Sequence, residues 1–146
     1  APDWRTVPRQ RANRWDRLRG KLGLIAKGRR ANTVLEYDDL VRRMLEKPAP
    51  AYTRYRCVTP GWDNSARRPQ GATIFMNNTP EAYGRWLQEI ATAEARSTRP
   101  ADQKLVFINA WNEWAEGNHL EPDQRWGRAY LEATRAALER TAPSTA

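Results

Sequence analysis

Two glutamates in the segment WNEWAEG, Glu113 and Glu116, have the type and spacing that suit acid and base chemistry. Side chains three residues apart lie on one side of a helical turn, with Cβ atoms about 5–6 Å apart. A carboxylate pair of this kind serves glycoside chemistry, where one acid protonates the leaving oxygen and the other acts as base or nucleophile. The alternative is that both glutamates are ordinary surface residues of a loop.

The residues beside this pair are suited to binding a sugar. Trp111 and Trp114 offer flat apolar faces for sugar rings, and Asn112 can both donate and accept hydrogen bonds. The alternative is that the tryptophans belong to the hydrophobic core. His119 and Glu121 follow in the sequence and are further candidates for hydrogen bonds to a substrate, although most lone loop histidines have no special role.

A second polar segment, WDNSARR, begins at Trp62 and comes after a predicted strand. Strand ends at one edge of a sheet gather functional loops, so this segment is expected beside the glutamates, with Trp62 among the binding residues. Asp63 and Asn64 could hold sugar hydroxyls, while Arg67 could pair with an acidic group or a phosphate. The simpler alternative is a turn built on an Asp or Asn side chain, with the arginines in solvent.

The sequence predicts neither a cofactor nor a metal site. The motifs HExxH and CxxC and the EF-hand loop are absent, as are the GxGxxG and Walker A loops that cradle nucleotides. The single cysteine, Cys57, excludes an internal disulfide and zinc sites built on cysteine clusters. The expected chemistry therefore depends on the side chains of the chain itself.

The elements that must position these residues alternate between helices and strands. In chain order, the patterns predict a helix over 11–27, a helix within LEYDDLVRRMLEKP, a strand over 53–58, an extended piece at ATIFMNN, a helix over 80–96, a strand at KLVFINAW and a helix over 124–140. The run KLVFINAW lacks alternation, which is typical of a strand buried on both faces. This order predicts an α/β fold, either a barrel or a doubly wound sheet.

The net charge of +8 comes from the N-terminal residues. Residues 1–30 hold ten Arg or Lys against two Asp, and the other 116 residues carry fifteen of each sign. Such an arm could bind nucleic-acid phosphates or an anionic membrane surface. The alternative is an amphipathic helix with solvated charges, because Trp15, Leu18, Leu22 and Ile25 form a helical stripe. No run approaches the roughly 20 apolar residues of a membrane span, and a cytoplasmic protein is predicted.

The run VFINAWNEWAEGNHLEPD, followed by WGRAYLEATRAAL, resembles the C-terminal signature of the WbsX-type proteins of the glycoside hydrolase family 99-like group. The segments VTPGWDNSARR and TPEAYGRWL match that family's pattern in the same order. The resemblance implies the C-terminal portion of a (β/α)8 barrel, incomplete in this chain. The implied organisation is a basic, partly helical segment over 1–33, the barrel portion over 34–141 and a disordered tail over 142–146. The start APDW suggests a piece of a longer chain.

The resemblance also implies a mechanism. In the family 99 endo-mannosidases both glutamates of the motif NEWxEG carry catalysis. Glu113 would then be the base that deprotonates the sugar's own 2-hydroxyl, and Glu116 the acid that protonates the leaving group, with retention of configuration. The implied reaction is cleavage or transfer of α-linked, mannose-like sugars in O-antigen or surface-polysaccharide metabolism. WbsX-type proteins are predicted to be transferases and their relatives are hydrolases, so the acceptor stays open.

The sequence therefore supports three functions. The first is a carbohydrate-active enzyme fragment, with a glycan or sugar as substrate and the missing N-terminal half of the barrel as a partner. The second is a glycan-binding remnant without turnover. The third is a basic module that binds nucleic acid without sequence specificity, or an anionic membrane, through residues 1–30.

Overall fold

The computed structural model describes residues 32–68 and 70–141, which form two parallel strand pairs, helices and a short hairpin. The elements are β1 (Thr33–Glu36), α1 (Tyr37–Glu46), β2 (Arg56–Val58), β3 (Thr73–Met76), α2 (Pro80–Ala95), a 3-10 turn (Ala101–Gln103), β4 (Val106–Ile108), β5 (Asn112–Glu113), a 3-10 turn (Trp114–Glu116), β6 (Asn118–His119) and α3 (Ala129–Glu139). Three sequence predictions lie outside the described residues: the helix over 11–27, the basic arm 1–30 and the disordered tail 142–146.

The helix α2 begins where local sequence signals place it. The Thr79 hydroxyl accepts a hydrogen bond from the backbone N–H of Ala82 at 3.2 Å, and Pro80 lies in the first turn, where its missing N–H costs nothing. Glu81 adds a negative charge near the positive end of the helix dipole. The large buried residues of the helix share one face: Tyr83, Trp86, Leu87 and Ile90. The helix predicted over 80–96 is therefore confirmed.

The strands β2 and β4 form the parallel pair that positions the polar loops. Arg56 aligns with Val106 and Val58 aligns with Ile108, and the chain between the two strands passes through β3 and then α2, which packs against both β2 and β4. A parallel pair with a helix in its connection is common to both predicted α/β architectures. The other parallel pair joins β1 to β3. The described strands form two-stranded sheets and no closed barrel, so the (β/α)8 barrel stays a prediction.

The start of the described chain differs from the sequence prediction. A strand occupies Thr33–Glu36, where no strand was expected, and the helix of the segment LEYDDLVRRMLEKP begins only at Tyr37. The partner of this strand is β3, about 40 residues further along the chain, with Val34 aligned to Ile74. Strand pairing at this separation in the chain depends on tertiary contacts, so the local spacing of apolar residues does not predict it.

The strand at KLVFINAW and the last helix are both shorter than predicted. The strand covers only Val106–Ile108, and Phe107 is 53% exposed, because the described residues leave its face of the strand largely uncovered. The prediction that this strand is buried on both faces is wrong for the described chain. The last helix begins at Ala129, because the Asp123 carboxylate accepts the backbone N–H of Trp126 and holds a turn there.

The hydrophobic core lies between the helices and the strand pairs, and Tyr37 connects it to the polar loops. Its ring lies edge-on to Trp86, with centroids 6.0 Å apart, and contacts Phe75 at 6.4 Å. Its hydroxyl donates a hydrogen bond to the Thr59 carbonyl, one residue beyond β2. Burial raises the pKa of Tyr37 well above its ordinary value, so this donor stays protonated. The core thereby fixes the first residue of the loop that follows β2.

Candidate functional site

Two loops meet at the C-terminal edge of the β2–β4 pair. The first loop, which follows β2, contains Asp63 and Arg67; the second, the glutamate loop, is defined as Trp111–Gly117. The backbone N–H of Asp63 donates to the carbonyl of Glu116 at 2.8 Å. The Arg67 guanidinium lies 3.3 Å from the Glu116 carboxylate. The expected proximity of these two segments is therefore observed.

The glutamate loop is the tip of a small hairpin. The strands β5 and β6 pair antiparallel, with Asn112 opposite His119, and a 3-10 turn over Trp114–Glu116 joins them. The turn ends at Gly117, which has a φ of 56°. The Trp111 carbonyl accepts the backbone N–H of Leu120 at 2.9 Å and closes the base of the hairpin. This local closure gives the two glutamates a fixed place on the rim.

The two glutamates have different surroundings. Glu113 is exposed, and its carboxylate makes no hydrogen bond or ion pair with the described residues. The side chain of Glu116 is only 22% exposed and faces Arg67, whose side chain is 57% exposed. A contact with a half-exposed arginine at 3.3 Å is weak, since solvent screens the charges. One carboxylate is therefore free to meet a ligand, and the other is held by a cation that a ligand can displace.

The two tryptophans of the glutamate loop are not core residues. Trp111 is 54% exposed and Trp114 is 49% exposed. Trp114 stacks on His119, with ring centroids 3.7 Å apart, and its Nε1–H donates to the Glu121 carboxylate at 2.6 Å. Asn112 is exposed beside them. Exposed aromatic faces held in place beside carboxylates can stack on sugar rings, whereas the core interpretation of these tryptophans is wrong.

Three predicted binding residues have structural contacts. Asn64 is buried, and its side-chain oxygen accepts the backbone N–H of Thr73 at 2.8 Å, which attaches this loop to β3. The Asp63 carboxylate accepts the backbone N–H of Ser65 at 2.9 Å, as in the turn weighed as the alternative. Trp62 is half-buried and packs against the core. Asn64 is thus occupied with the backbone, while Trp62 and Asp63 still border open space.

Two residues that were not predicted from the sequence hold the site together. Asn118 is fully buried, and its side-chain oxygen accepts a hydrogen bond from the Thr59 hydroxyl at 2.8 Å, which ties β6 to the end of β2. The Asp123 carboxylate lies 3.1 Å from Nε2 of His119. Neither contact has a signature in the sequence. Thr59 and Asn118 are 59 positions apart, and an Asp four residues after a His, as in Asp123 and His119, is a common spacing.

A pocket of about 430 Å³ opens next to the glutamate loop. Its lining includes Trp62, Asp63 and His119 from the predicted set and Asp123 from the missed one. Glu113 and Glu116 do not line it. The predicted site residues therefore divide into two neighbouring groups, one on the rim and one in the pocket.

We expect Gly117→Ala to disturb the glutamate loop. A φ of 56° costs a residue with a side chain about 1–2 kcal/mol, and a Cβ here would lie 3.1 Å from the Asp63 carbonyl oxygen. Urea unfolding should show a loss of more than 1 kcal/mol, since strain and contact add. Gly127→Ala is the matched control, because its φ is 52° and a Cβ there meets no atom within 4 Å. Equal losses in both variants would show that the contact with Asp63 is unimportant.

Asp123 gives the protein a specific acid sensitivity. Burial raises the pKa of its carboxyl, but the N–H groups of Trp126 and Arg125 and the His119 side chain together lower it below the ordinary value of 3.8. A lowered pKa in the folded state stabilises the protein at every pH above the ordinary value, and this contribution disappears as the pH falls through the folded pKa.

Substitution of Asp123 by Asn is therefore expected to destabilise the fold in a pH-dependent way. The stability deficit relative to wild type should be present above about pH 4 and shrink between about pH 4 and pH 2. Urea unfolding at a series of pH values measures this deficit. A deficit that stays unchanged down to the lowest pH would contradict the lowered pKa.

Among residues 32–68 and 70–141, no group of three or more His, Cys, Asp or Glu side chains could hold a metal ion. No helix in the same residues has the length and apolar character needed to cross a membrane.

Comparison with known proteins places the sequence in a family. The family model described as "Glycosyltransferase WbsX" matches residues 5–134, which is most of the chain. The chain belongs to the WbsX glycosyltransferase family. This family match includes both loops of the site and the whole of the glutamate loop. No solved structure matches the chain.

Two relatives of this WbsX family member come from Xanthomonas campestris pathovar campestris, and both are named WxcX. The chain is 47% identical to one and 46% identical to the other, which is from strain B100, over 114 residues in each comparison. The aligned part is 77% of this chain and 16% of each relative. The chain thus spans a small part of the length of these relatives.

Proposed function

We propose that this chain contributes the catalytic glutamates of an enzyme that transfers α-linked, mannose-like sugars during the biosynthesis of a surface polysaccharide such as O-antigen. The observation that carries the proposal is the hairpin tip, which presents Glu113 and Glu116 beside two half-exposed tryptophans. Membership of the WbsX glycosyltransferase family supports sugar transfer as the reaction.

The proposed reaction keeps the configuration of the sugar. Glu113 takes the proton of the donor's 2-hydroxyl, and that oxygen attacks the anomeric carbon while the bond to the leaving group breaks. Glu116 gives its proton to the leaving oxygen. The resulting 1,2-anhydro sugar is opened at the anomeric carbon by an acceptor hydroxyl, whose proton goes to Glu116, and Glu113 returns its proton to the 2-oxygen. Two inversions at one carbon give net retention.

The different surroundings of the glutamates fit these roles. Glu113 lacks an ion pair among the described residues, so it can contact the donor's 2-hydroxyl directly. Glu116 is the less exposed carboxyl and is held by Arg67. Trp111 and Trp114 would stack on the rings of the donor and acceptor.

The test uses the intact protein with α-mannosyl fluoride as donor, in the presence and absence of a mannosyl acceptor. The proposal predicts a glycoside product that forms only when the acceptor is present. Sugar release in water without an acceptor would instead establish a hydrolase, the runner-up reaction of the same glutamates. Binding of saccharides without either product would favour a glycan-binding module, for which the exposed tryptophans are sufficient.

Several expectations from the sequence complete this proposal. We propose the remaining strands of a (β/α)8 barrel as the structural partner of this portion, since the β2–β4 pair has open edges among the described residues. A cytoplasmic location and contact of residues 1–30 with an anionic membrane surface also stay predictions.

A further inference from the structure

The pocket beside the glutamate loop has the size and position of a ligand site of its own. Its volume of about 430 Å³ lies within the range of about 300–1,000 Å³ that small-molecule sites occupy. Its lining includes Asn77 and Asn78, which follow β3, and also Gly117, His119 and Asp123. The pocket therefore opens at the C-terminal end of a strand, as the glutamate loop does.

A stack of two rings joins the pocket to the glutamate loop, since His119 belongs to the pocket lining and Trp114 to the loop. His119 lines the pocket, whereas Trp114 does not, and the two rings lie 3.7 Å apart with 16° between their planes. Asp123 binds Nε2 of His119 on one side of the stack, and Glu121 binds Nε1 of Trp114. A ligand in the pocket and a sugar beside the glutamates would thus be neighbours, with the stacked rings of His119 and Trp114 between them. The hydrogen bonds to Asp123 and Glu121 fix the orientation of these rings.

The lining of the pocket combines aromatic rings with hydrogen-bonding groups. Trp126 is half-buried at one side, its ring edge-on to that of Tyr130 at 6.3 Å, and the Arg125 guanidinium lies 4.8 Å from the centre of the Trp126 ring. Asp63 and Asp123 contribute two carboxylates, which outnumber the single arginine. Phosphate or carboxylate ligands would meet repulsion from these carboxylates, while sugar hydroxyls can donate to them.

We propose that this pocket is a second saccharide subsite, which binds an uncharged pyranose ring of the acceptor glycan on Trp126 with Arg125 donating to its hydroxyls. The assignment of the ring to the acceptor rests on the proposed function. The binding of an uncharged sugar does not require turnover, so it can be tested independently.

Equilibrium binding of methyl α-pyranosides to the intact protein, observed by saturation-transfer NMR, tests the subsite. The probes are the α-methyl glycosides of mannose, glucose and galactose, with mannose 6-phosphate as the anionic comparison. Arg125→Ala is expected to weaken binding of an uncharged probe by about tenfold, because it removes one hydrogen bond from a charged donor to the sugar. Trp126→Leu should weaken it as well. Arg128→Ala is the matched control, since Arg128 is exposed and lies outside the lining.

The outcomes separate this proposal from the proposed function. Weakening by both pocket variants, with binding kept in Arg128→Ala, supports the subsite even if no transfer product is ever found. Weakening by Trp111→Ala alone would place the saccharide only at the glutamate loop and overturn the subsite while leaving the proposed function intact. Stronger binding of mannose 6-phosphate, or no binding of any probe, would also overturn it.

Discussion

Glutamine in place of Glu113 or Glu116 is expected to lower the turnover number for sugar transfer by about 100- to 10,000-fold, the range for loss of a general acid or base. The amide cannot take the donor's 2-hydroxyl proton at position 113 or supply a proton at position 116. Glutamine keeps the shape of the side chain, so saccharide binding and the fold should persist. Steady-state transfer rates with methyl α-mannoside, whose leaving group must be protonated, together with urea unfolding, measure both effects.

The control for this pair is Glu89→Gln on α2. Glu89 is exposed and distant in sequence from both loops, and its substitution should leave turnover unchanged. Turnover that survives in the Glu113→Gln and Glu116→Gln variants at the wild-type rate would remove the glutamate loop from the mechanism. Loss of turnover together with loss of folding would assign the glutamates a structural role instead.

Trp86→Ala is expected to cause the largest loss of stability, about 3–5 kcal/mol. The side chain is fully buried on α2, and its ring lies edge-on to Tyr37. Its removal leaves a cavity between α2 and the strands β2 and β4, against which this helix packs. Because the whole free energy of unfolding of a domain is about 5–15 kcal/mol, this loss is a large part of it. Urea unfolding followed by circular dichroism measures the change.

A second variant isolates packing from hydrogen bonding at this position. Nε1 of Trp86 has no hydrogen-bond partner among the described residues, so Trp86→Phe removes volume without removing a hydrogen bond. The loss should therefore be smaller than for alanine. A loss below about 1 kcal/mol for Trp86→Ala would show that this helix contributes little to the core.

Local signals account for the parts of the fold that the sequence predicts well. Thr79, Pro80 and Glu81 satisfy the backbone needs of a helix start by themselves, so the beginning of α2 follows from three adjacent residues. The run at 104–111 is apolar enough to mark a strand, and the loop that follows it carries the glutamates. The meeting of this loop with the one after β2 also follows, since parallel neighbours end at the same edge.

The remaining features depend on contacts that no local pattern encodes. The pairing of β1 with β3 and the hydrogen bond between Thr59 and Asn118 join residues 40 or more positions apart. Asn64 looks like an exposed binding residue in the sequence, and only the position of β3 turns its side chain to a backbone N–H. The pocket formed by His119 and Asp123 with the residues after β3 is likewise a product of tertiary packing.

The most direct test of the central claim compares leaving groups in the wild type and in Glu116→Gln. This variant is expected to lose transfer from donors with poor leaving groups, such as methyl α-mannoside. It should keep much of its kcat/KM for dinitrophenyl α-mannoside, because that leaving group needs no proton and kcat/KM reports the first step alone. In Glu113→Gln, both donors should lose rate equally, because the 2-hydroxyl attacks in each case. An equal loss for both donors in Glu116→Gln would contradict the role of Glu116 as the acid.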